Sequence, residues 1–214
     1  MREYLIERVE FAKSLYKDHE LATYHDITLI LTAVLSACAS RTWTGIGIDR
    51  VRFLELLINH SDAKHKTSNV SIPFLINDGL IDNSKTEWGK PGRATRILTD
   101  SEVDMPVEQA QCIYPSLDLK NLKMYSYAQL IYKFLRCGYA HSYYLDGDLS
   151  HVAHSDRYPD TRMSYIGMIN DQGKIVRRRA CFHIEYLIDL AEYHAHSLKS
   201  EPISQPAEWW ANKI

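Results

Sequence analysis

The sequence predicts a mostly α-helical fold: a helical bundle with a less regular middle insertion and one β-hairpin. Three observations indicate it. Apolar residues recur at helical spacing near both ends of the chain and again over residues 126–137. This signal weakens between residues 61 and 123. Two short apolar stretches with a turn between them then occupy residues 162–179, which is the pattern of a hairpin.

The first three helices are expected in the N-terminal quarter. Residues 2–17 place apolar side chains on one helical stripe. Residues 24–39, capped by Asp26 or a neighbour, are apolar on nearly all sides, and such a helix belongs in the middle of a bundle. Asp49 is a good N-cap for a third helix that ends near Asn59.

The remaining elements follow in order. Residues 61–123 are interpreted as an insertion, with a short helix begun near Pro73. Ser126 is expected to cap a helix that continues to about Cys137, and a last helix should occupy residues 181–198. Residues 1–200 therefore form a single domain.

The C-terminal tail, residues 201–214, carries the pair Trp209-Trp210. Two tryptophans are costly to leave in water, so the tail is expected to dock on the body or on a second subunit.

Composition excludes several classes of protein. The chain has 214 residues, 45% of them hydrophobic and 24% charged, which is typical of a globular domain. A net charge of −2 excludes a uniformly basic nucleic-acid binder but permits a local cationic surface. The four cysteines show no CxxC spacing, no secretory leader is recognised, and the longest apolar run is too short for a bilayer. A cytoplasmic protein with no membrane partner is expected.

Arg136 and His141 are the most chemically suggestive pair in the chain, since an apolar helical pattern ends there at Gly138. An arginine can hold a phosphate while a histidine moves a proton beside it, which suffices to cut RNA without a metal ion. Five residues of straight α-helix leave two side chains roughly 140° apart. The pair therefore predicts a helix irregularity near Gly138, such as a left-handed turn.

The spacing Arg-x4-His resembles the signature of the HEPN superfamily (higher eukaryotes and prokaryotes nucleotide-binding domains). The resemblance implies a small all-α bundle and, for many members, metal-independent endoribonuclease activity in toxin, antiphage or RNA-processing systems. It implies no cofactor and no metal, and a homodimer that brings two motifs together. Arg136 matches the arginine of the motif and His141 its histidine. A polar residue commonly follows that arginine, whereas this chain has Cys137.

RNA is the partner that these residues predict, with a possible antitoxin or defence-system protein beside it. Nearby tyrosines could stack on splayed bases, and a basic stretch over residues 157–179 could follow a phosphate backbone. The tyrosines are Tyr139, Tyr143 and Tyr144, and the basic residues are Arg177, Arg178 and Arg179 together with Arg157, Arg162 and Lys174.

Several alternatives remain open at this stage. The chain could be a non-catalytic member of the same fold that binds nucleotides or proteins, with Cys137 marking lost activity. It could instead be a partner- or DNA-binding scaffold that uses the middle segment, where residues 90–96 resemble the wing of a winged helix. A metal site from His141, His151, His154 and Asp156 is a further alternative, although the histidine spacing is poor for a helix. The arginine run could also be a solvated strand face.

Overall fold

A computed structural model describes residues 1–18, 23–82, 96–142, 160–172 and 175–212 of the chain. The fold is mostly helical with a small antiparallel sheet, as the sequence predicts. Within the described residues, no helix is both long and apolar enough to cross a bilayer.

Four long helices form the main body, and they are α1 (Arg2–Lys17), α2 (Tyr24–Thr42), α3 (Asp49–Asn59) and α10 (Ile184–Ser197). Helix α2 contacts the other three, so the helix that is apolar on nearly all sides does lie in the middle. Thr23 is its N-cap and forms a capping box with Asp26, which places Asp26 in the first turn. Leu31 and Leu35 of α2 are fully buried in the shared core.

The described part of the insertion, residues 61–123, contains four short helices. They are α4 (Ile72–Asn77), α5 (Asp100–Val103), α6 (Val107–Ile113) and α7 (Leu119–Met124). Three of them, α4, α6 and α7, pack around a core of their own. The N-cap of α4 is Ser71, whose side chain accepts the Phe74 N–H, and Pro73 lies in the first turn as expected. Leu75 and Leu122 are fully buried in this second core, so the region is more regular than the sequence suggests.

The hairpin near residues 162–179 is present as β4 (Met163–Ile169) and β5 (Ile175–Phe182), paired antiparallel. A third strand, β2 (Leu98–Thr99), joins the free edge of β4, so the insertion contributes to the sheet. A separate two-residue ladder joins β1 (Asn69–Val70) to β3 (Met105–Pro106).

One helical stretch continues from residue 127 to residue 142 with a change of winding. It begins as α8 (Tyr127–Leu130), capped by Ser126 as expected, continues as a π-helical segment (Ile131–Gly138) and ends as α9 (Tyr139–Ser142). The Ser126 hydroxyl accepts the Gln129 N–H at 3.3 Å.

Two expected helix starts are wrong. Ile48, not Asp49, is the N-cap of α3, because Asp49 already lies in the first turn, where its carboxylate pairs with Arg52. The last helix starts at Ile184 and not at residue 181, because Cys181 and Phe182 end β5 and pair with β4.

The tail lies along the body and crosses from α3 to α7. The Ile203 N–H donates to the Thr42 carbonyl at 2.9 Å, and the Trp209 ring packs edge-on against the buried Trp43 ring at 5.5 Å. The Trp210 N–H donates to Glu55 Oε2 at 2.8 Å, and Lys123 Nζ donates to the Trp210 carbonyl at 2.9 Å. The two tryptophans therefore join the main body to the insertion.

Candidate functional site

The π-helical segment carries the arginine of the motif and brings together residues five apart. Its hydrogen bonds run from residue i to residue i+5, a winding that is rare and often found at functional sites. The irregularity expected near Gly138 is therefore present, but the expected left-handed turn is not. Gly138 has no positive φ, and Tyr139 continues the helix at φ −69° and ψ −39°.

Arg136 is half-buried and held on one side by its own segment. Its guanidinium lies over the Tyr132 ring, 5.4 Å from the centroid, and its Nη1 donates to Cys137 Sγ at 3.7 Å. Burial raises the pKa of Tyr132, and the neighbouring Cys137 raises it further while Arg136 opposes both. No carboxylate among the described residues pairs with Arg136. The described part of the site thus contains a fixed cation without an anionic partner.

His141 lies less than two turns further on and is exposed. Its imidazole makes no hydrogen bond with Arg136, so the structure places the two on one stretch of helix without joining them. Tyr139 between them is 3% exposed and packs edge-on against His25 at 5.0 Å, so its ring belongs to the core and offers no stacking surface. Tyr143 and Tyr144, and the histidines of the metal alternative other than His141, lie outside the described residues.

The arginine run alternates across β5, as side chains in a strand must. Arg177 is exposed and Arg179 is half-buried, whereas Arg178 is 4% exposed and its Nη1 donates to the Arg96 carbonyl at 3.4 Å. The backbone N–H and C=O of Arg178 are both bonded to the Asn77 side chain. Only Arg177 and Arg179 therefore share an outer face.

Comparison with known proteins adds no relative. No protein-family model, curated protein or solved structure matches the chain. What the chain can do must therefore follow from its own geometry.

A cavity of about 440 Å³ opens between the loop after α3, the start of β4 and the first turns of α10. Its lining residues are mostly ones with charged or polar groups, namely Lys64, His65, Asp160, Thr161, Arg162, Glu185, Tyr186 and Asp189, together with Ala63. Lys64 Nζ pairs with Asp189 Oδ2 at 2.7 Å across the rim. The volume is that of a typical small-molecule site.

The cavity lies at the same end of the bundle as the motif. The Tyr16 hydroxyl donates to Glu185, which lines the cavity, and the Tyr16 ring lies 6.3 Å from that of Tyr24 at the start of α2. His25, the next residue, packs against Tyr139, two residues before His141. A short series of aromatic contacts thus connects the cavity wall to the motif.

A buried acid lies behind the cavity. Asp104 is half-buried as a residue, but its carboxyl group lies beneath Tyr127 and Tyr165, whose hydroxyls donate to Oδ2 at 2.5 and 2.6 Å. The Ile72 N–H donates to Oδ1 at 3.1 Å. Burial outweighs these donors and raises the pKa of Asp104 to about 8. This carboxyl group ties the insertion to the sheet and to α8.

Ser164 and His183 form a buried pair that resembles part of a catalytic triad. Ser164 Oγ and His183 Nε2 lie 2.8 Å apart, and burial lowers the pKa of His183. Both residues are 0% exposed, so no substrate reaches them and the pair is structural. Sequence reasoning missed Tyr132, and it named Arg162 only as part of the basic stretch over residues 157–179 and not as a cavity residue. The aromatic residue four positions before the motif arginine is the signal that could have revealed Tyr132.

Proposed function

We propose that the protein binds RNA and cleaves it without a metal ion, as a HEPN-like endoribonuclease that uses Arg136 and His141. One observation carries the proposal: a half-buried guanidinium, fixed over Tyr132, has no carboxylate partner among the described residues. A buried cation costs free energy unless an anion neutralises it. A phosphate diester is an anion that a guanidinium can bind through two parallel N–H donors.

The RNA supplies its own nucleophile in this mechanism. The 2′-oxygen attacks phosphorus, the bond to the 5′-oxygen breaks, and the products are a 2′,3′-cyclic phosphate and a 5′-hydroxyl. His141 takes the proton from the 2′-hydroxyl or delivers one to the leaving oxygen, and an exposed imidazole can do either near neutral pH. Arg136 neutralises the charge that grows on the non-bridging oxygens.

A second copy of the chain completes the site in this proposal. Arg136 and His141 of one chain make no hydrogen bond with each other, so a homodimer through the motif face would let the arginine of one protomer work with the histidine of the other. Arg177 and Arg179 on the outer face of β5 offer cations for the RNA backbone. A role in toxin, phage-defence or RNA-processing systems, with an antitoxin or defence partner, belongs to the same proposal.

The test is incubation of the purified protein with RNA in excess chelator. Cleavage that leaves 2′,3′-cyclic phosphate ends is expected, and Arg136→Ala and His141→Ala should each abolish it. Lys133→Ala is the matched control, because Lys133 is an exposed cation on the same π-helical segment whose ammonium lies over Phe134. It should leave cleavage unchanged.

Three other outcomes would each sink the proposal in a distinct way. RNA that stays intact but bound would favour a non-catalytic RNA-binding protein, the reading that the Arg136–Cys137 contact supports, because that thiol occupies one of the arginine's donors. Cleavage that the chelator stops would point to a metal enzyme. A protein that neither binds nor cleaves the RNA would favour the alternative of a partner- or DNA-binding scaffold.

A further inference from the structure

Arg162 lines the cavity, and the groups that hold its guanidinium belong to residues outside the cavity lining. Its Nε donates to Asp100 Oδ2 at 2.9 Å, its Nη1 donates to the Lys66 carbonyl at 3.0 Å, and its guanidinium lies over the Tyr127 ring at 5.5 Å. Asp100 is 2% exposed. The other amino group, Nη2, has no hydrogen-bond partner among the described residues, although the side chain keeps 24% exposure. The guanidinium of Arg162 is thus held in a fixed position, with Nη2 available to donate a hydrogen bond to a ligand.

Tyr186 adds a second donor without a partner. The residue is 8% exposed and lines the same cavity, yet its buried hydroxyl finds no hydrogen-bond partner in the described part of the chain. Burial raises the pKa of this phenol and the charge of Arg162, which lines the same cavity, opposes that rise. A buried polar atom without a partner costs roughly 1–3 kcal/mol, so such atoms call for an explanation. A ligand oxygen in the cavity would satisfy both groups.

The cavity lining offers hydrogen-bond acceptors as well as donors. Asp160 and Asp189 present carboxylates there, and Asp189 keeps lone pairs beyond the one that Lys64 uses. Asp160 holds a positive φ of 67°, an uncommon conformation for a residue other than glycine. On one wall the His65 ring is stacked with the Tyr193 ring at 4.7 Å. A ligand that uses both kinds of group carries an acceptor for Arg162 and Tyr186 and a donor for a carboxylate.

We propose that this cavity receives a single unstacked RNA base that has a carbonyl beside a ring N–H, which means uracil or guanine. Arg162 and Tyr186 donate to the carbonyl, and a carboxylate of the lining accepts the ring N–H. Adenine and cytosine lack a ring N–H on that edge, so the cavity discriminates against them. This inference rests on the proposed function, because the cavity and the motif share one end of the bundle.

The test measures the binding of free nucleosides, which have no phosphate to cleave. By calorimetry or ligand-observed NMR, uridine should bind about tenfold more tightly than cytidine, and guanosine more tightly than adenosine, as one good hydrogen-bonded edge provides. Arg162→Lys and Tyr186→Phe should each weaken uridine binding about fivefold or more. Tyr186→Phe keeps the test decisive if Arg162→Lys unfolds, because that hydroxyl bonds to none of the residues that the structure describes.

The controls separate the two proposals. Lys199→Gln removes an exposed cation beside a different cavity and should leave nucleoside binding unchanged. Arg136→Ala should abolish cleavage and leave nucleoside binding intact. Nucleoside binding without cleavage sinks the proposed activity alone. Suppose instead that the protein cleaves RNA. The base site alone is then overturned if uridine binds no more tightly than cytidine, or if the Tyr186→Phe variant binds uridine as tightly as the unmodified protein does.

Discussion

The guanidinium of Arg136 lies over the ring of Tyr132, 5.4 Å from its centroid, and both residues belong to the π-helical segment. The π winding of this segment also brings Tyr132 onto the same face as Cys137, five residues further on, whereas a regular α-helix turns residues i and i+5 well away from each other. Tyr132 is itself held by the edge of Phe53 at 5.4 Å. The core thus fixes the tyrosine, and the tyrosine fixes the arginine.

Tyr132 is therefore expected to act as a positioning residue for Arg136. Tyr132→Leu removes the ring face and should lower RNA cleavage about fivefold or more, since an aromatic face contributes roughly 0.5–2 kcal/mol to holding a cation. Tyr132→Phe keeps the face and should retain most of the activity. The measurement is kcat and KM on a short RNA, with circular dichroism to establish folding. Equal loss in both variants would contradict a role for the ring face.

Mixed dimers test whether two protomers share one active site. Arg136→Ala and His141→Ala proteins, each inactive, should regain about a quarter of the original activity when mixed and allowed to exchange. Half of the dimers would be mixed, and each of those would have one of its two sites intact. The measurement is the cleavage rate against mixing ratio. A mixture as inactive as its components would place the whole site within one chain.

Asp104 should make the protein less stable as the pH rises from about 4 to about 8. Its folded-state pKa of about 8 lies above the value in the unfolded chain, so the native state binds more protons in that window, and stability falls with increasing pH. Asp104→Asn mimics the neutral acid and should flatten this trend. Urea unfolding at pH 5 and pH 8 measures it. An identical pH dependence in both proteins would mean that Asp104 is already ionised at pH 5.

Trp209 should contribute to stability through its contact with Trp43. Trp209→Ala is expected to lower the free energy of unfolding by roughly 1–3 kcal/mol, less than the ~3–5 kcal/mol of a fully buried aromatic, because the ring is half-buried. Trp209→Phe should recover most of the loss. Urea denaturation gives the values. A change below about 0.5 kcal/mol would be that of an ordinary surface residue and would show that the tail adds little to the fold.

Much of the helical architecture is predictable because it depends on local patterns. Ser126 and Ser71 identify helix starts since a hydroxyl there accepts a backbone N–H. The π winding over 131–138 is not predictable in the same way, because the apolar pattern hardly distinguishes it from an α-helix. The inward turn of Arg178 was predictable: three consecutive arginines in a strand cannot share one face.

The cavity could not be predicted, because it depends on contacts between distant segments. Sequence alone groups Arg162 with the basic stretch, whereas the structure pairs it with the buried Asp100. The sequence gives no indication of the third strand, Leu98–Thr99, since a segment of two residues is too short to show the alternation of a strand.

The hydrogen bonds of Arg162 also affect how the molecule folds. Its guanidinium bonds to Asp100, which lies 62 residues away in sequence, and to the carbonyl of Lys66, which lies 96 residues away. Contacts so distant in sequence must overcome a large loop entropy before they stabilise anything, so they form slowly. Helices α1 and α2 can associate early, whereas the cavity is complete only when three remote segments have met. During refolding, nucleoside binding should consequently be regained later than helical content.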